Sequence, residues 1–336
     1  MIRHLFLAAC MLALAACNQS AADAPISEQW RSIPVETQPV AFGRESVGKL
    51  RFRGGVTVRS SDALFGGLSG IEVLDGGRMI AISDRGYWFE GRLQLDGDGA
   101  LAGLSDVRMA LMRDENAEPF QSRRMADAED MTQLADGRIA VSFEHTQSIR
   151  IYDLNRDGPF GAASPGPPLA ETDELWPNVG LEAIAATADG RLLVGAEGGE
   201  EPTTQLWLTR LDARAPAHPS LRFPLHDQFS LTSLDRAPDG AYVALERFYA
   251  PVVGARARIV RFAANQLARA PDSIVESEVL ATLAPPLPLD NFEAISAARM
   301  PNGVTRLYIA SDNNYSPLQR TLILAFDVVE EPPAAP

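Results

Sequence analysis

The sequence contains little cysteine, lysine or histidine, and each shortage removes a class of chemistry. Only two of the 336 residues are cysteines, Cys10 and Cys17, so the chain beyond residue 17 has no thiol for a disulfide, a zinc-thiolate site or a nucleophile. Lys49 is the only lysine, which leaves one candidate for any Schiff-base mechanism. The histidines beyond the N-terminus are not spaced like zinc ligands. Polar chemistry must therefore come mainly from carboxylates and arginines.

Positive charge is also scarce. Thirty lysines and arginines stand against 44 aspartates and glutamates, which gives a formal net charge of -14. This balance disfavours nucleic acid as a partner and favours a cationic ligand or a metal. The hydrophobic fraction of 46% and the charged fraction of 22% are ordinary for a globular domain. We expect a monomer that takes a small-molecule substrate or ligand and no nucleic acid.

The apolar run at the N-terminus is too short to cross a membrane. It covers residues 5–16 and has the length of the apolar segment of a secretory signal. Leu-Ala-Ala-Cys at residues 14–17 resembles the lipobox of bacterial lipoproteins, which predicts cleavage before Cys17 and lipidation of its sulfur. Asn18 then favours sorting to the outer membrane. An ordinary signal peptide with a chance cysteine is the alternative.

These features divide the chain into four parts. We expect a lipoprotein signal peptide at residues 1–16, a flexible tether at residues 17–46, a folded domain at residues 47–329 and a disordered tail at residues 330–336. The tether is predicted from its polar composition and weak periodicity. The predicted location is the bacterial cell envelope, with the domain anchored to the outer membrane through Cys17 and facing the periplasm.

The most informative feature that is present is a hairpin that recurs five times. The ends of the copies lie at residues 68–71 and 83–84, 128–131 and 143–144, 181–184 and 196–197, 231–234 and 246–247, and 292–295 and 311–312. Gly-Gly, Asp-Gly or Asn-Gly steps separate the ends, and such steps are strong hairpin signals. A third strand follows every hairpin, and a weaker fourth strand follows the first four. A repeat of this length indicates one supersecondary unit per copy.

This pattern predicts an all-β fold, a β-propeller with five four-stranded blades. The fifth copy has no room for a fourth strand, so the strand-like residues 49–59 would complete it and close the ring. A sixth blade is the alternative for residues 155–178, where five prolines argue for a loop. A pair of β-sandwiches is the alternative fold, which the regular spacing disfavours.

Polar residues recur at two positions of every hairpin. Counting outward from a two-residue turn pairs Glu129 with Glu144, Glu182 with Glu197, Glu293 with Asp312, Ser69 with Asp84, and Thr232 with Arg247. An added bulge would shift this register by one residue. In a propeller these positions meet at one mouth of the central channel. Because like charges across a strand pair repel, a bound cation, a nearby arginine or a raised pKa should compensate the acids.

Calcium is the cation that such a ring favours, because it accepts about six to eight oxygen ligands in irregular cages. The candidate metal ligands are Asp84, Glu129, Glu144, Glu182, Glu197, Glu293 and Asp312. The alternative is a structural ring, whose acids accept hydrogen bonds from neighbouring blades. His145 follows Glu144 directly and is a candidate general acid or base, although a histidine beside a strand end is more often only solvated.

Several stretches resemble a bacterial family known as esterase-like activity of phytase, or phytase-like domain proteins. They are FGGLSGI at residues 65–71, ISDRG at 82–86, NVGLEAI at 178–184, DNFEAI at 290–295 and SDNN at 311–314. The resemblance covers about residues 48–328. It implies a secreted or lipid-anchored propeller and, by the name of the family, hydrolysis of an ester or phosphoester. It assigns no catalytic residue.

We therefore predict a hydrolase of an ester or phosphoester at the channel mouth. The predicted catalytic residues are Arg85, His145, Glu182, Arg247 and Glu293. Calcium would be held by Glu129, Glu182, Glu293 and Asp312. It would polarise the substrate oxygen and lower the pKa of a bound water, while the arginines would neutralise developing negative charge. The competing hypothesis is a propeller that binds a ligand or partner without catalysis.

Overall fold

The computed structural model describes residues 30–175, 179–198, 201–225, 228–250 and 253–329. The predicted signal peptide, the predicted lipidation site Cys17 and the predicted tail lie outside these residues. Within them, helix is limited to α1 (Arg123–Ala126) and the 3-10 turns Asp75–Gly77, Gly158–Phe160, Thr172–Glu174 and Ala264–Ala268. None of the described helices has the length and apolar character to span a membrane. The remaining regular structure is strand, so the all-β prediction is confirmed.

The described strands follow the chain in six groups. The N-terminal strands are β1 (Arg31–Ser32), β2 (Glu36–Pro39), β3 (Ser46–Val47) and β4 (Leu50–Arg59). The first copy of the hairpin unit contains β5 (Leu68–Val73), β6 (Arg78–Ser83), β7 (Tyr87–Leu95) and β8 (Leu101–Leu111). The second contains β9 (Ala128–Gln133), β10 (Ile139–Phe143), β11 (Ser148–Tyr152) and β12 (Ser164–Pro165). The third contains β13 (Leu181–Ala186), β14 (Arg191–Ala196), β15 (Thr203–Arg210) and β16 (Pro219–Pro224). The fourth contains β17 (Ser230–Arg236), β18 (Tyr242–Ala250), β19 (Gly254–Phe262), β20 (Ser273–Ile274) and β21 (Glu278–Leu283). The fifth contains β22 (Asn291–Arg299), β23 (Thr305–Asp312) and β24 (Thr321–Val328).

Each copy forms an antiparallel sheet whose strands follow chain order. β20 leaves the fourth copy and pairs in parallel with β16, while β21 pairs with β19. In the fifth copy the N-terminal strand β4 pairs antiparallel with β24, as we expected for residues 49–59. A parallel contact between Gly54 and Leu101 also links β4 to β8.

The first strand of each copy lies at the centre of the molecule. β5 contacts β9, β9 contacts β13, β13 contacts β17, β17 contacts β22, and β22 contacts β5. The hydrophobic core lies between adjacent sheets: Trp88 of the first copy and Phe143 of the second share one buried cluster. Phe223 of the third copy and Leu231 of the fourth share another. No copy can bury its apolar faces alone, which is the physical reason for the repeat.

The predicted tether is wrong over residues 31–46. Here β1 pairs with β8, and β2 pairs with β4. Ile33 and Phe42 are buried, and the ring of Phe42 stacks on Phe52 with centroids 4.4 Å apart. This burial offsets the entropy cost of ordering a segment whose composition alone reads as flexible. The folded domain therefore begins before residue 47.

The hairpin loops are one residue longer than the predicted two. In the second copy the N–H of Leu134 donates to the carbonyl of Arg138, so that the loop contains three residues. Its last residue, Gly137, has a φ of +86°, the left-handed conformation that a three-residue hairpin loop requires. The same loop hydrogen bonds recur in the other copies. The pairing of the two strands is therefore shifted by one residue from the pairing that we predicted by counting outward from a two-residue turn.

A β-bulge near the end of every hairpin that lies opposite its turn shifts the register by one residue more. In the second copy Met131 lies opposite Val141, whereas Ala128 lies opposite Phe143, so the inner strand holds one extra residue there. The corresponding extra residues in the other copies are Ser69, Glu182, Thr232 and Glu293. We call these four and Glu129 the bulge residues. A bulge leaves its extra residue outside the ladder and re-aims its side chain.

The predicted cross-strand pairs of polar residues are consequently wrong. The N–H of Glu144 donates to the carbonyl of Asp127 at 3.1 Å, and that of Glu197 donates to Gly180 at 3.0 Å. The partners of Asp84, Arg247 and Asp312 are Gly67, Ser230 and Asn291. The longer loop and the bulge each shift the pairing by one residue in the same direction. The ends of the first two strands remain neighbours at one end of each sheet.

Candidate active site

Three of the predicted acids converge at one end of the inner strands. Carboxylate oxygens of Glu129, Glu144 and Glu182 all lie within 4.8 Å of one another. Glu129 and Glu182 are bulge residues of neighbouring inner strands, and Glu144 directly follows the second strand of its hairpin. We call these three residues the acid cluster. Its members come from two copies of the hairpin, so the predicted convergence of distant acids is present.

Gly180 makes the space that Glu144 occupies. A Cβ atom at Gly180 would lie 2.0 Å from Cγ of Glu144 and 2.8 Å from its Cβ. Both distances are far below ordinary van der Waals contact, and neither atom is the free end of a flexible side chain. The glycine before β13 is thus required for the acid cluster rather than for a turn.

Positive charge compensates the acid cluster only in part: Arg247 opposes the rise in the pKa of Glu182, and Nδ1 of His145 lies 3.1 Å from Oε2 of Glu144. Burial raises the pKa of Glu182 well above its usual range, and repulsion from Glu197 and Glu293 adds to the effect. Burial followed by repulsion from Glu182 does the same for the pKa of Glu129. Among the described residues, no arginine or lysine forms an ion pair with any of the three carboxylates. A bound cation or a shared proton is needed for their coexistence.

His145 lies beside the acid cluster and contacts an acid that the sequence did not point to. Its Nδ1 atom is 2.6 Å from Oδ2 of Asp127 and 3.1 Å from Oε2 of Glu144. Burial raises the pKa of Asp127 to about 6, with the imidazole opposing this rise and Glu144 adding to it. Asp127 directly precedes β9, where the first and third copies have glycine. This departure from the repeat was the available signal.

Two predicted metal ligands pair with Arg247 instead. Nη2 of Arg247 is 3.2 Å from Oε1 of Glu197, and Nη1 is 3.1 Å from Oε1 of Glu293. Nη1 also donates to Oδ1 of Asn291 at 2.8 Å, and Nδ2 of Asn291 donates to Glu293 at 2.7 Å. We call these four residues the Arg247 network. Glu293 is the first cause of a raised pKa for Arg247, and burial raises the pKa of Glu293 itself to about 7.

Asp84 and Asp312 lie in a third part of the ring, with Arg85. Nη2 of Arg123 is 3.7 Å from Asp84, whose buried Oδ1 has no hydrogen-bond partner among the described residues. The guanidinium of Arg85 stacks on the ring of Tyr315, 3.1 Å from its centroid. Burial raises the pKa of Asp312 to about 7, although the N–H of Asn314 donates to it.

The predicted set of calcium ligands does not form one group in the described part of the chain. Glu129 and Glu182 belong to the acid cluster, whereas Glu293 faces Arg247. Asp312 belongs to neither of the close groups of acids and histidine. Oε1 of Glu293 lies beside the guanidinium of Arg247, away from the acid cluster, whereas no arginine or lysine among the described residues pairs with the acid cluster.

A second group of acids lies at the opposite, turn end of the inner strands. A cavity of 770 Å³ opens there and is lined in part by Glu72, Thr132 and Asp235. The N–H of Gln133 donates to Glu72 and that of Ala297 donates to Asp235, each at 2.6 Å. These acids bind backbone groups of adjacent inner strands, and the hairpin pattern did not single them out.

Comparison with known proteins identifies the family. The profile of the family described as phytase-like, esterase-like activity of phytase, matches residues 63–315, which is most of the chain. The protein belongs to this family. No curated protein compared with the chain matches it.

Solved structures resemble the chain only distantly. A protein of unknown function from Dyadobacter fermentans is 13% identical, with a TM-score of 0.44, over 90% of this chain and 96% of that one. A PQQ-bound aldose sugar dehydrogenase from Streptomyces coelicolor is 13% identical, with a TM-score of 0.42, over 88% and 98%. Virginiamycin B lyase from Staphylococcus aureus is 10% identical, with a TM-score of 0.37, over 88% and 100%. Similarity at this level carries no inference about the chemistry of the chain.

Proposed function

We propose that the protein is an envelope-anchored hydrolase of an ester or phosphoester, with its active site at the acid cluster. The observation that carries this proposal is the set of three close carboxylates that form no ion pair with an arginine or lysine among the described residues, beside a histidine held by Asp127. Perturbed acids next to an oriented histidine are the arrangement that hydrolytic sites use. Membership of a family named for esterase-like activity supports the same class of reaction.

The fold that places this site is, in our proposal, a five-bladed propeller closed by its N-terminal strand. Two observations support it: the five inner strands contact one another in sequence, with β22 returning to β5, and β4 supplies the fourth strand of the fifth sheet. The acid cluster then lies at one mouth of the central channel. The lipid anchor at Cys17 stays a prediction, and Cys17→Ala should release the protein from the membrane fraction if it is correct.

The acid cluster has the donor chemistry for calcium. Carboxylate oxygens are the ligands that calcium prefers, and irregular cages suit it. Glu129, Glu144 and Glu182 would hold the ion, which replaces the ligand set predicted from the sequence. When bound, calcium would polarise a substrate oxygen and lower the pKa of a bound water.

The residues beside the acid cluster would move the proton. If Nδ1 of His145 donates to Asp127, the neutral ring presents the lone pair of Nε2 as a base. His145 would accept a proton from the attacking water, and Asp127 would stabilise the resulting imidazolium, as the acid of a catalytic triad does. Arg85 and Arg123, near Asp84, are the cations available for an anionic part of the substrate.

The competing proposal is a non-catalytic propeller that binds a ligand. The Arg247 network favours it, because two of the predicted metal ligands already pair with an arginine of the protein. Under this reading the acid cluster would bind a cationic or metal-bridged ligand without turnover.

Substitution of Glu182 separates these proposals. The variant Glu182→Gln keeps the size of the side chain but removes a charge from the acid cluster, so it should abolish hydrolysis in a screen of ester and phosphoester substrates. Glu118→Gln, at an exposed acid, is the matched control and should keep wild-type turnover. A wild-type protein that hydrolyses none of these substrates would instead support the binding proposal.

A further inference from the structure

Asp130 fills the centre of the ring of inner strands. It directly follows the bulge residue Glu129, and its side chain is completely buried. The residues after the other bulge residues are Gly70, Ala183, Ser233 and Ala294. A Cβ atom at Gly70 would already lie 3.1 Å from the Cα of Asp130. One aspartate therefore occupies a space that four small residues leave open.

The carboxylate of Asp130 binds two other inner strands directly. Its Oδ2 accepts the N–H of Ile184 in β13 at 2.9 Å and the N–H of Leu234 in β17 at 3.1 Å. Its Oδ1 accepts the N–H of Met131 at 2.9 Å and the hydroxyl of Ser233 at 3.1 Å. Four donors thus converge on two oxygens, which satisfies a buried carboxylate.

Ser233 extends this set of bonds to a fourth strand. Its Oγ accepts the N–H of Ile295 in β22 at 3.1 Å while its hydroxyl proton goes to Asp130. The inner strands β9, β13, β17 and β22 are therefore joined through a single carboxylate. We call Asp130 and Ser233 the strand hub.

The strand hub binds the inner strands at equivalent places. Ile184, Leu234 and Ile295 each lie two residues after the bulge residue of their strand. A bulge leaves its own residue without a ladder partner, so the contacts between inner strands determine where that residue lies relative to its neighbours. In β13 the ladder holds Leu181 and Ala183 on either side of Glu182, and the N–H of Ile184, which Asp130 binds, ties this strand to β9. Asp130 directly follows Glu129 in β9.

We propose that Asp130 is the positioning residue of the acid cluster, setting the spacing between Glu129 and Glu182 by binding their strands to one carboxylate. The spacing is a property of the folded chain. Its use in binding a cation rests on the proposed function. An asparagine at this position cannot fully replace the aspartate, because its NH₂ group would face either the N–H groups of Ile184 and Leu234 or the N–H of Met131 and leave them without an acceptor.

Hydrogen exchange of the wild type, Asp130→Asn and Tyr152→Phe tests the proposal. Tyr152→Phe removes one buried hydrogen bond, to the carbonyl of Arg113, far from the strand hub and serves as the stability control. In Asp130→Asn we expect exchange to accelerate by about tenfold or more beyond the control, at the amides of Ile184 and Leu234 or at that of Met131, whichever the NH₂ group faces. Unchanged protection of all three amides would overturn the proposal.

A crystal structure of Asp130→Asn is the second measurement. We expect the carboxylates of the acid cluster to separate beyond the 4.8 Å that they show in the wild type. Retention of the cluster would overturn the proposal even if exchange accelerates, because the hub would then be structural only. Neither readout needs calcium or turnover, so a failure of the proposed function is recognised separately, by wild-type protein that binds no calcium.

Should Asp130→Asn fail to fold, Ser233→Ala provides the milder test. This substitution removes one of the four donors to Asp130. It also removes the side-chain oxygen that accepts the N–H of Ile295 in the described part of the chain. We expect faster exchange confined to Ile295 and its neighbours, with Glu293 displaced from Arg247. Unchanged protection at Ile295 would contradict the strand hub.

Discussion

Replacing Arg247 should destabilise the protein through the two acids it leaves behind. The guanidinium lies 3.2 Å from Glu197 and 3.1 Å from Glu293, and these side chains are only 17% and 13% exposed. In Arg247→Met the apolar stem is kept, but two largely buried carboxylates lose their only ion-pair partner recorded in the described part of the chain. Removing one partner from a buried ion pair costs about 3–5 kcal/mol.

Two features reduce the expected cost. Arg247 is 27% exposed, so water screens part of the interaction. Burial already raises the pKa of Glu293 to about 7, so this acid can take up a proton at neutral pH instead of remaining an unpaired anion. We therefore expect a loss of about 3 kcal/mol in the free energy of unfolding at pH 7, and a smaller loss at pH 5.

Urea unfolding of a double-mutant cycle measures the coupling. Glu293→Gln removes the charge that Arg247 neutralises, so the double variant Arg247→Met with Glu293→Gln should be more stable than the sum of the single effects by about 1–3 kcal/mol. Additive effects, or a loss below about 0.5 kcal/mol for Arg247→Met, would refute the reasoning that Arg247 compensates the charge of Glu197 and Glu293.

Two further predictions concern pH and the space around Glu144. Burial raises the pKa of Asp127 to about 6 and that of Glu293 to about 7. Between about pH 4 and pH 7 these two acids therefore bind more protons in the folded protein than in the unfolded chain. The free energy of unfolding without calcium should therefore fall as pH rises across this window, by about 1.4 kcal/mol per pH unit for each proton, and urea midpoints that rise with pH would contradict it. Gly180→Ala should displace Glu144 and weaken calcium binding by about tenfold or more, since its Cβ would lie 2.0 Å from Cγ of Glu144. The control Gly97→Ala adds a Cβ with no neighbour within 4 Å, and equal calcium affinity in the two variants would refute the steric argument.

The strands were predictable because their signals are local. Asp-Gly and Asn-Gly turns between apolar runs recur at a regular interval, and each copy needs only its own residues to form a hairpin. The segment around Ile33 and Phe42 was missed because its order comes from packing against distant strands, such as the stacking on Phe52. Composition describes the segment itself and carries no information about that contact.

The register of the site could not be read from the sequence. A two-residue and a three-residue loop share the same Asp-Gly letters, and a bulge at Glu129 or Glu182 has no local signal of its own. The polar residues lie at the ends of the hairpins, but their partners depended on both of these one-residue shifts. Asp130 and Asp127 went unnoticed for a related reason: their partners lie in other copies or in loops, and only their departure from the repeat marks them.

Calorimetric titration with calcium tests the central claim most directly, since the claim is that the three carboxylates of the acid cluster bind a divalent cation. The account predicts one ion bound per chain by the wild type, binding lost in Glu182→Gln and kept in the exposed-acid control Glu118→Gln. Thermal unfolding should shift upward with calcium by mass action, by about 2.7 kcal/mol at a concentration 100 times the Kd. No heat of binding with millimolar calcium, and no shift in unfolding, would contradict it.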